Sequence, residues 1–166
     1  MQIKIAISGY DMIKRHRKKD EEISPLDIYK RAVDFATVFE WCVTGEMLFV
    51  PAYANFALSF ELCLKAIAKN ETNIIQSGHD LSKIFSKLKE TTQDNIIRKF
   101  NIILKQCVNT EFSTETFYSN LKKIATTFYD YRYEYEWGTG KGFMINDLFF
   151  RCFGVTIFDY AKQTIK

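Results

Sequence analysis

Several things are scarce in this chain, and each scarcity removes a class of answer. Proline occurs twice and glycine seven times in 166 residues, too few for a turn-rich all-β protein or a low-complexity linker. Histidine also occurs only twice, as His16 and His79, which leaves no basis for a His-built metal centre. The four cysteines, Cys42, Cys63, Cys107 and Cys152, lie far apart with no C-x-x-C spacing. They read as buried free thiols in a reducing compartment rather than as metal ligands or a disulfide frame. No apolar run approaches the roughly 18 residues that suggest a membrane span. The basic residues near the start follow an apolar patch, the reverse of a secretory signal. A soluble cytoplasmic protein without a cofactor is expected.

A strong charge of one sign is missing as well. The formal net charge is +3, from 23 Lys and Arg against 20 Asp and Glu. Five of those cations sit in the single run Lys14-Arg15-His16-Arg17-Lys18-Lys19. Setting them aside leaves 18 cations against 20 acids, so the body of the chain has no general excess for phosphate. Any affinity for nucleic acid must be local.

What is present is apolar and aromatic: 47% of the residues are hydrophobic, and Phe, Trp and Tyr make up 16% of the whole chain. At this length one domain with a substantial core is expected, and the patterning is helical. Residues 1–23 form a short extended arm, with Ile3, Ile5 and Ile7 alternating against polar neighbours ahead of the basic run. Residues 24–166 form the domain. Ser24-Pro25 starts a helix that runs to about Thr44. A second, nearly uncharged helix ends near Asn70; within Leu48 to Ala68 only Glu61 and Lys65 are charged, which implies a helix enclosed by two others. Asp80 caps a short amphipathic helix carrying Leu81, Ile84, Phe85 and Leu88. A fourth helix spans about Thr91 to Asn109. A fifth starts at Ser113 or Thr114 and continues through Phe117, Leu121, Ile124, Phe128, Tyr131 and Tyr135. After the glycine loop at 138–142, which lacks the spacing of a phosphate-binding loop, Asn146 caps a last helix ending near Ile165. Phe150, Ile157, Phe158 and Ala161 give that helix a second apolar face, for another helix or another subunit. The whole predicts an all-α, up-and-down bundle of five to six helices.

Few side chains have the chemistry to do more than pack. Glu61 and Lys65 are four apart in the favourable order for an ion pair, and a charge on so apolar a helix needs partners. Arg132, with Glu136 four residues on, falls at the edge of the aromatic stripe, with Tyr129 beside it. Arg132 therefore reads either as a structural partner of Glu61 across the bundle or as a ligand or phosphate site. His79 follows Gly78 at the start of a helix, where it either bonds the loop or helps to receive an anion.

Three stretches resemble a known family. Ala52-Tyr53-Ala54-Asn55-Phe56 through Glu61-Leu62-Cys63-Leu64-Lys65-Ala66-Ile67, then Gly78-His79-Asp80-Leu81-Ser82-Lys83-Ile84-Phe85, and Phe128-Tyr129-Asp130-Tyr131-Arg132-Tyr133-Glu134-Tyr135-Glu136 are similar to segments of prokaryotic HEPN domains, over about Ile28 to Phe158. The resemblance implies an up-and-down bundle, a homodimer, and a setting in toxin–antitoxin or defence systems, sometimes with a nucleotidyltransferase-type antitoxin as partner. Many such domains are metal-independent ribonucleases whose Arg and His stand four to six residues apart. This chain lacks that pair, since Trp137 stands five residues after Arg132. The expectation is a HEPN-like dimerising module that binds RNA, a nucleotide or a protein. One alternative is a divergent ribonuclease that brings Arg132 and His79 together, with Glu136 orienting one of them; another is a purely structural subunit.

Overall fold

The computed structural model describes residues 23–44, 49–126 and 146–166. Six helices account for most of them, and no strand occurs among the described residues: α1 (Pro25–Thr44), α2 (Phe49–Thr72), α3 (Leu81–Phe85), α4 (Glu90–Val108), α5 (Thr114–Lys123) and α6 (Asp147–Thr164). The expected arm and its basic run lie outside the described residues, as do Phe128 to Glu136 and the glycine loop.

Local chemistry accounts for the helix ends. At α1 the Ser24 hydroxyl accepts from the Asp27 N–H at 3.0 Å, and the Asp27 carboxylate accepts from the Ser24 N–H at 3.3 Å. This reciprocal cap occupies two amides that the helix itself leaves unmatched. Asp80, Ser113 and Asn146 cap α3, α5 and α6 by accepting from the backbone three residues on. The start of α4 differs: Lys89 provides no side-chain cap. Glu71, at the end of α2, takes its place by accepting from the Lys89 N–H at 3.0 Å and from the Thr92 hydroxyl. At its far end α4 stops on Asn109, in the left-handed conformation at φ 52°, which Asn tolerates better than most residues.

The contacts fix the helix directions. Phe39, late in α1, stacks on Phe56 at 4.2 Å and meets Tyr53 edge-on, both early in α2. That pairing belongs to an antiparallel hairpin. Tyr53 bonds Asp147, the Cys63 thiol bonds the Ile157 carbonyl, and Asn70 bonds the Thr164 carbonyl, so α2 and α6 run parallel. Helix α4 runs against them, with Thr92 near Tyr160 and Phe100 near Phe149.

The core at this junction is aromatic. Phe60, Phe85, Phe100, Phe117, Phe149, Phe150 and Phe153 are all fully buried. Each contributes about 1.5–3 kcal/mol through burial, and edge-to-face pairs such as Phe100–Phe117 add about 0.5–1.5 kcal/mol each. Gly154 allows the closest approach. A Cβ there would stand 2.6 Å from the Phe60 ring and 2.9 Å from that of Phe56, so only a residue without one lets α6 lie this near α2.

Several expectations change in detail. The short helix ends at Phe85, and Leu88 is buried just beyond it. The described part of the fifth helix ends at Lys123, with a turn over 124–126. The second apolar face of α6 is covered within the chain, because Phe150 packs on Tyr53, Phe56 and Phe60 while Phe158 meets Tyr29 of α1. Of the two occupants expected for that face, another helix is the one present. The central helix has three neighbours, α1, α3 and α6, instead of two. No described helix is long and apolar enough to cross a membrane.

Candidate functional site

The polar residues of α2 converge at one corner. Glu61 follows the fully buried Phe60 and is itself 2% exposed. Its carboxylate therefore needs donors, because an unpaired charge at such a depth would cost several kcal/mol. Two arrive. Lys65, one turn on, places Nζ 2.7 Å from Oε1. His79 places Nδ1 2.9 Å from Oε1 and 3.1 Å from Oε2.

The second contact depends on the loop between α2 and α3. Gly78 has φ +87°, with open space where a Cβ would stand. It is the backbone conformation, not crowding, that calls for glycine here. That turn directs His79 back toward α2 across a separation of 18 residues. The next residue, Asp80, then locks the loop to α3. Its carboxylate accepts from the Ser82 hydroxyl at 2.6 Å and the Lys83 N–H at 3.1 Å. Partial burial alone would raise the Asp80 pKa, but these two bonds and the Lys83 charge outweigh it and hold the carboxyl below its ordinary value. The Leu81 N–H donates to the Ala125 carbonyl at 3.0 Å. The turn after α5 is thus tied to the start of α3, beside His79.

A carboxylate offers only acceptors, so it is the N–H tautomer at Nδ1 that Glu61 binds. This places the imidazole's other basic position at Nε2, the arrangement in which a His can exchange a proton there. The His79 side chain is 46% exposed, against 12% for Lys65 and 3% for Glu61. The corner therefore grades from a buried acid, through a largely covered ammonium, to a ring that solvent reaches.

Of the residues singled out in sequence, the structure brings Glu61, Lys65 and His79 together and sets Asp80 beside them as a helix cap. Arg132, Tyr129 and Glu136 lie outside the described residues. Among the described residues Glu61 is held by Lys65 and His79; its expected partner Arg132 lies outside them. His79 bonds a side chain of α2, a partner that the sequence did not name. The Gly-His-Asp order signals a turn followed by a cap, but nothing in it shows which earlier acid the ring will meet.

Two further polar groups went unrecognised in the sequence. Lys69 is 4% exposed, and its Nζ donates to the Asn73 carbonyl at 2.8 Å; Glu71 caps α4. Both close the C-terminal end of α2. A second cluster joins α2 to α6 at the surface: Asp147 accepts from the Tyr53 hydroxyl at 2.9 Å and from Arg151 at 2.7 Å. Burial and then the Asp147 carboxylate push the Tyr53 hydroxyl above its ordinary pKa, which suits a structural clip better than an acid–base role.

The thiols also depart from expectation. Cys63 and Cys152 are buried, Cys42 is half-buried and Cys107 is exposed. Among the described residues no three His, Cys, Asp or Glu side chains converge in a way that could hold a metal ion. Comparison of the chain with protein-family models, curated proteins and solved structures gives no match.

Proposed function

We propose that the protein is a HEPN-like helical module that binds RNA through the phosphate groups next to His79 and Lys65. One observation carries this reading: buried Glu61 holds His79 by Nδ1 and Lys65 by Nζ. A cation and an imidazole set side by side at a solvent-reached corner suit a phosphodiester, whose oxygens accept from both. The near-balanced charge of the rest of the chain supports local rather than diffuse contact. The HEPN resemblance adds Arg132 as a second cation, a homodimer, and a nucleotidyltransferase-type antitoxin as a partner class.

A second reading, cleavage, is favoured by the Nδ1 bond specifically. A ring fixed by a carboxylate at Nδ1 can take a proton at Nε2 from a ribose 2′-hydroxyl or return one to a leaving oxygen, with no metal required. Arg132 would then stabilise the charge that develops on the phosphate. In this role Glu61 is a positioning residue for His79.

The test is incubation of total RNA and a labelled single-stranded RNA with the protein in EDTA, comparing wild type with His79→Ala, Lys65→Met and Arg132→Ala. Salt-sensitive binding that falls in Lys65→Met and Arg132→Ala, without cleavage, supports the binding module. Cleavage abolished by His79→Ala and Arg132→Ala promotes the ribonuclease. Absence of both binding and cleavage overturns the proposal in favour of a structural interaction subunit.

A further inference from the structure

Helices α1 and α6 rest on α2 without closing over it. They meet at Tyr29 and Phe158, whose rings stand 6.2 Å apart, and a groove of about 490 Å³ lies open between them. Val33 and Ala36 of α1, Val155 and Phe158 of α6, and Phe56 of α2 line it, so its surface is largely apolar. Two of these side chains face water: Val33 is 39% exposed and Val155 57%. We infer that a second copy of this chain docks on the α1–α6 groove, related to the first by a two-fold axis.

The charges at the rim select this occupant. Helix α1 runs against α2 and α6 runs with it, so α1 and α6 are antiparallel and their C-terminal turns point to opposite ends of the groove. Glu40, late in α1, therefore stands at one end and Lys162, late in α6, at the other. Other charges on α6 are already matched, Asp159 by Lys99 at 2.5 Å and Arg151 by Asp147 at 2.7 Å. A two-fold axis lying in this face, at right angles to the line from Glu40 to Lys162, sets each beside the opposite charge of the other copy. Val33 and Val155, between the two ends, then meet the apolar strip of that copy. A groove with like charges at both ends would repel its own copy in this arrangement; this one attracts it.

A small molecule is the other class of occupant that a groove of this size admits. Lying along the floor, it would leave the walls at Val33 and Val155 in water, whereas a facing surface covers them. None of the groove residues belongs to the Glu61 corner, so the pairing goes beyond RNA binding there and supplies a surface for the homodimer.

The experiment follows the mass of the full chain by sedimentation velocity over a range of concentrations. It contains no RNA, which keeps its outcome separate from that of the binding test. The expected result is a reversible monomer–dimer equilibrium that weakens as salt is raised. Val155→Asp puts a charge in the middle of the apolar strip and should abolish the dimer. Glu40→Lys and Lys162→Glu should each weaken association by about tenfold or more. The two reversals in one chain should restore it, since a two-fold contact then regains opposite charges. All three positions are exposed, so each variant should keep the wild-type circular dichroism spectrum. A chain that stays monomeric, a dimer whose affinity Val155→Asp leaves unchanged, or a double reversal no tighter than the single ones would overturn the inference. So would a monomer that takes up anilinonaphthalene sulfonate and loses that uptake in Val155→Asp, which would make the groove a small-molecule cleft.

Discussion

Phe60 and Glu61 are neighbours on one helix and equally hidden from water, yet opposite kinds of chemistry keep them there. Phe60 lies among Phe56, Phe150 and Phe153, where shape decides and even a methyl group on Gly154 would not fit. Glu61 lies between an ammonium and an imidazole, where hydrogen-bond geometry decides and solvent is one side chain away. The first environment tolerates no change of volume; the second tolerates volume and not loss of charge. A buried acid kept beside an exposed imidazole adds little that packing could not supply, and so it marks the corner where chemistry is to be sought.

Mutations test this contrast in order of expected size. Phe60→Ala removes a ring from the closest-packed region and should cost about 3–5 kcal/mol in urea unfolding; a loss below 1 kcal/mol would mean that the aromatic junction is not packed as described. Gly154→Ala should cost about 1–3 kcal/mol by overpacking, toward the upper end because the nearest ring atoms belong to the fully buried Phe60. Unchanged stability would contradict the close approach of α2 and α6.

Glu61→Gln keeps the volume and removes the charge. It should cost about 1–3 kcal/mol, in the lower part of that range because His79 retains access to water. Its larger effect should be on RNA binding or cleavage, in parallel with His79→Ala. A variant as stable and as active as wild type would separate Glu61 from the site altogether. Removing Lys65 as well, in Glu61→Leu with Lys65→Met, should be better tolerated than Glu61→Leu alone, since no cation is then stranded.

Asp80→Asn should have the smallest effect, about 0.5 kcal/mol or less near neutral pH, because Asn also caps helices well. The difference should depend on pH. Asp80 is held below its ordinary value in the folded protein, so its charged form contributes stability that is complete above the unfolded carboxyl's pKa. That contribution is lost as pH falls through the lowered folded value. Wild type and Asp80→Asn should therefore converge in acid; a gap that widens as pH falls would mean that Asp80 is not held in its charged form.

The sequence reveals those features that chain-local chemistry decides. Ser24, Asp80, Ser113 and Asn146 announce helix starts because a cap needs only a backbone amide three residues away. Glu61 and Lys65 stand out because two charges interrupt an apolar helix, and their i, i+4 spacing brings them together. The Glu61–His79 bond is not legible in this way, since it depends on the turn at Gly78 and on how α3 lies against α2. The Glu71 cap of α4 is hidden for the same reason: its acceptor comes from another helix. Periodicity showed a second apolar face on α6, but it could not distinguish a neighbouring helix of the same chain from a second subunit.

The parallel pairing of α2 with α6 also sets an order of assembly. Its bonds join residues 94 apart, and contacts that distant form slowly because a long loop must close first. The α1–α2 hairpin and the Glu61–His79 bond need only nearby residues. During synthesis they can form before α6 has emerged, leaving Phe56 and Phe60 temporarily without Phe150 and Phe153. The polar corner is then the early-formed part of the molecule, and the aromatic junction is the part a nascent chain must shield until its last helix arrives.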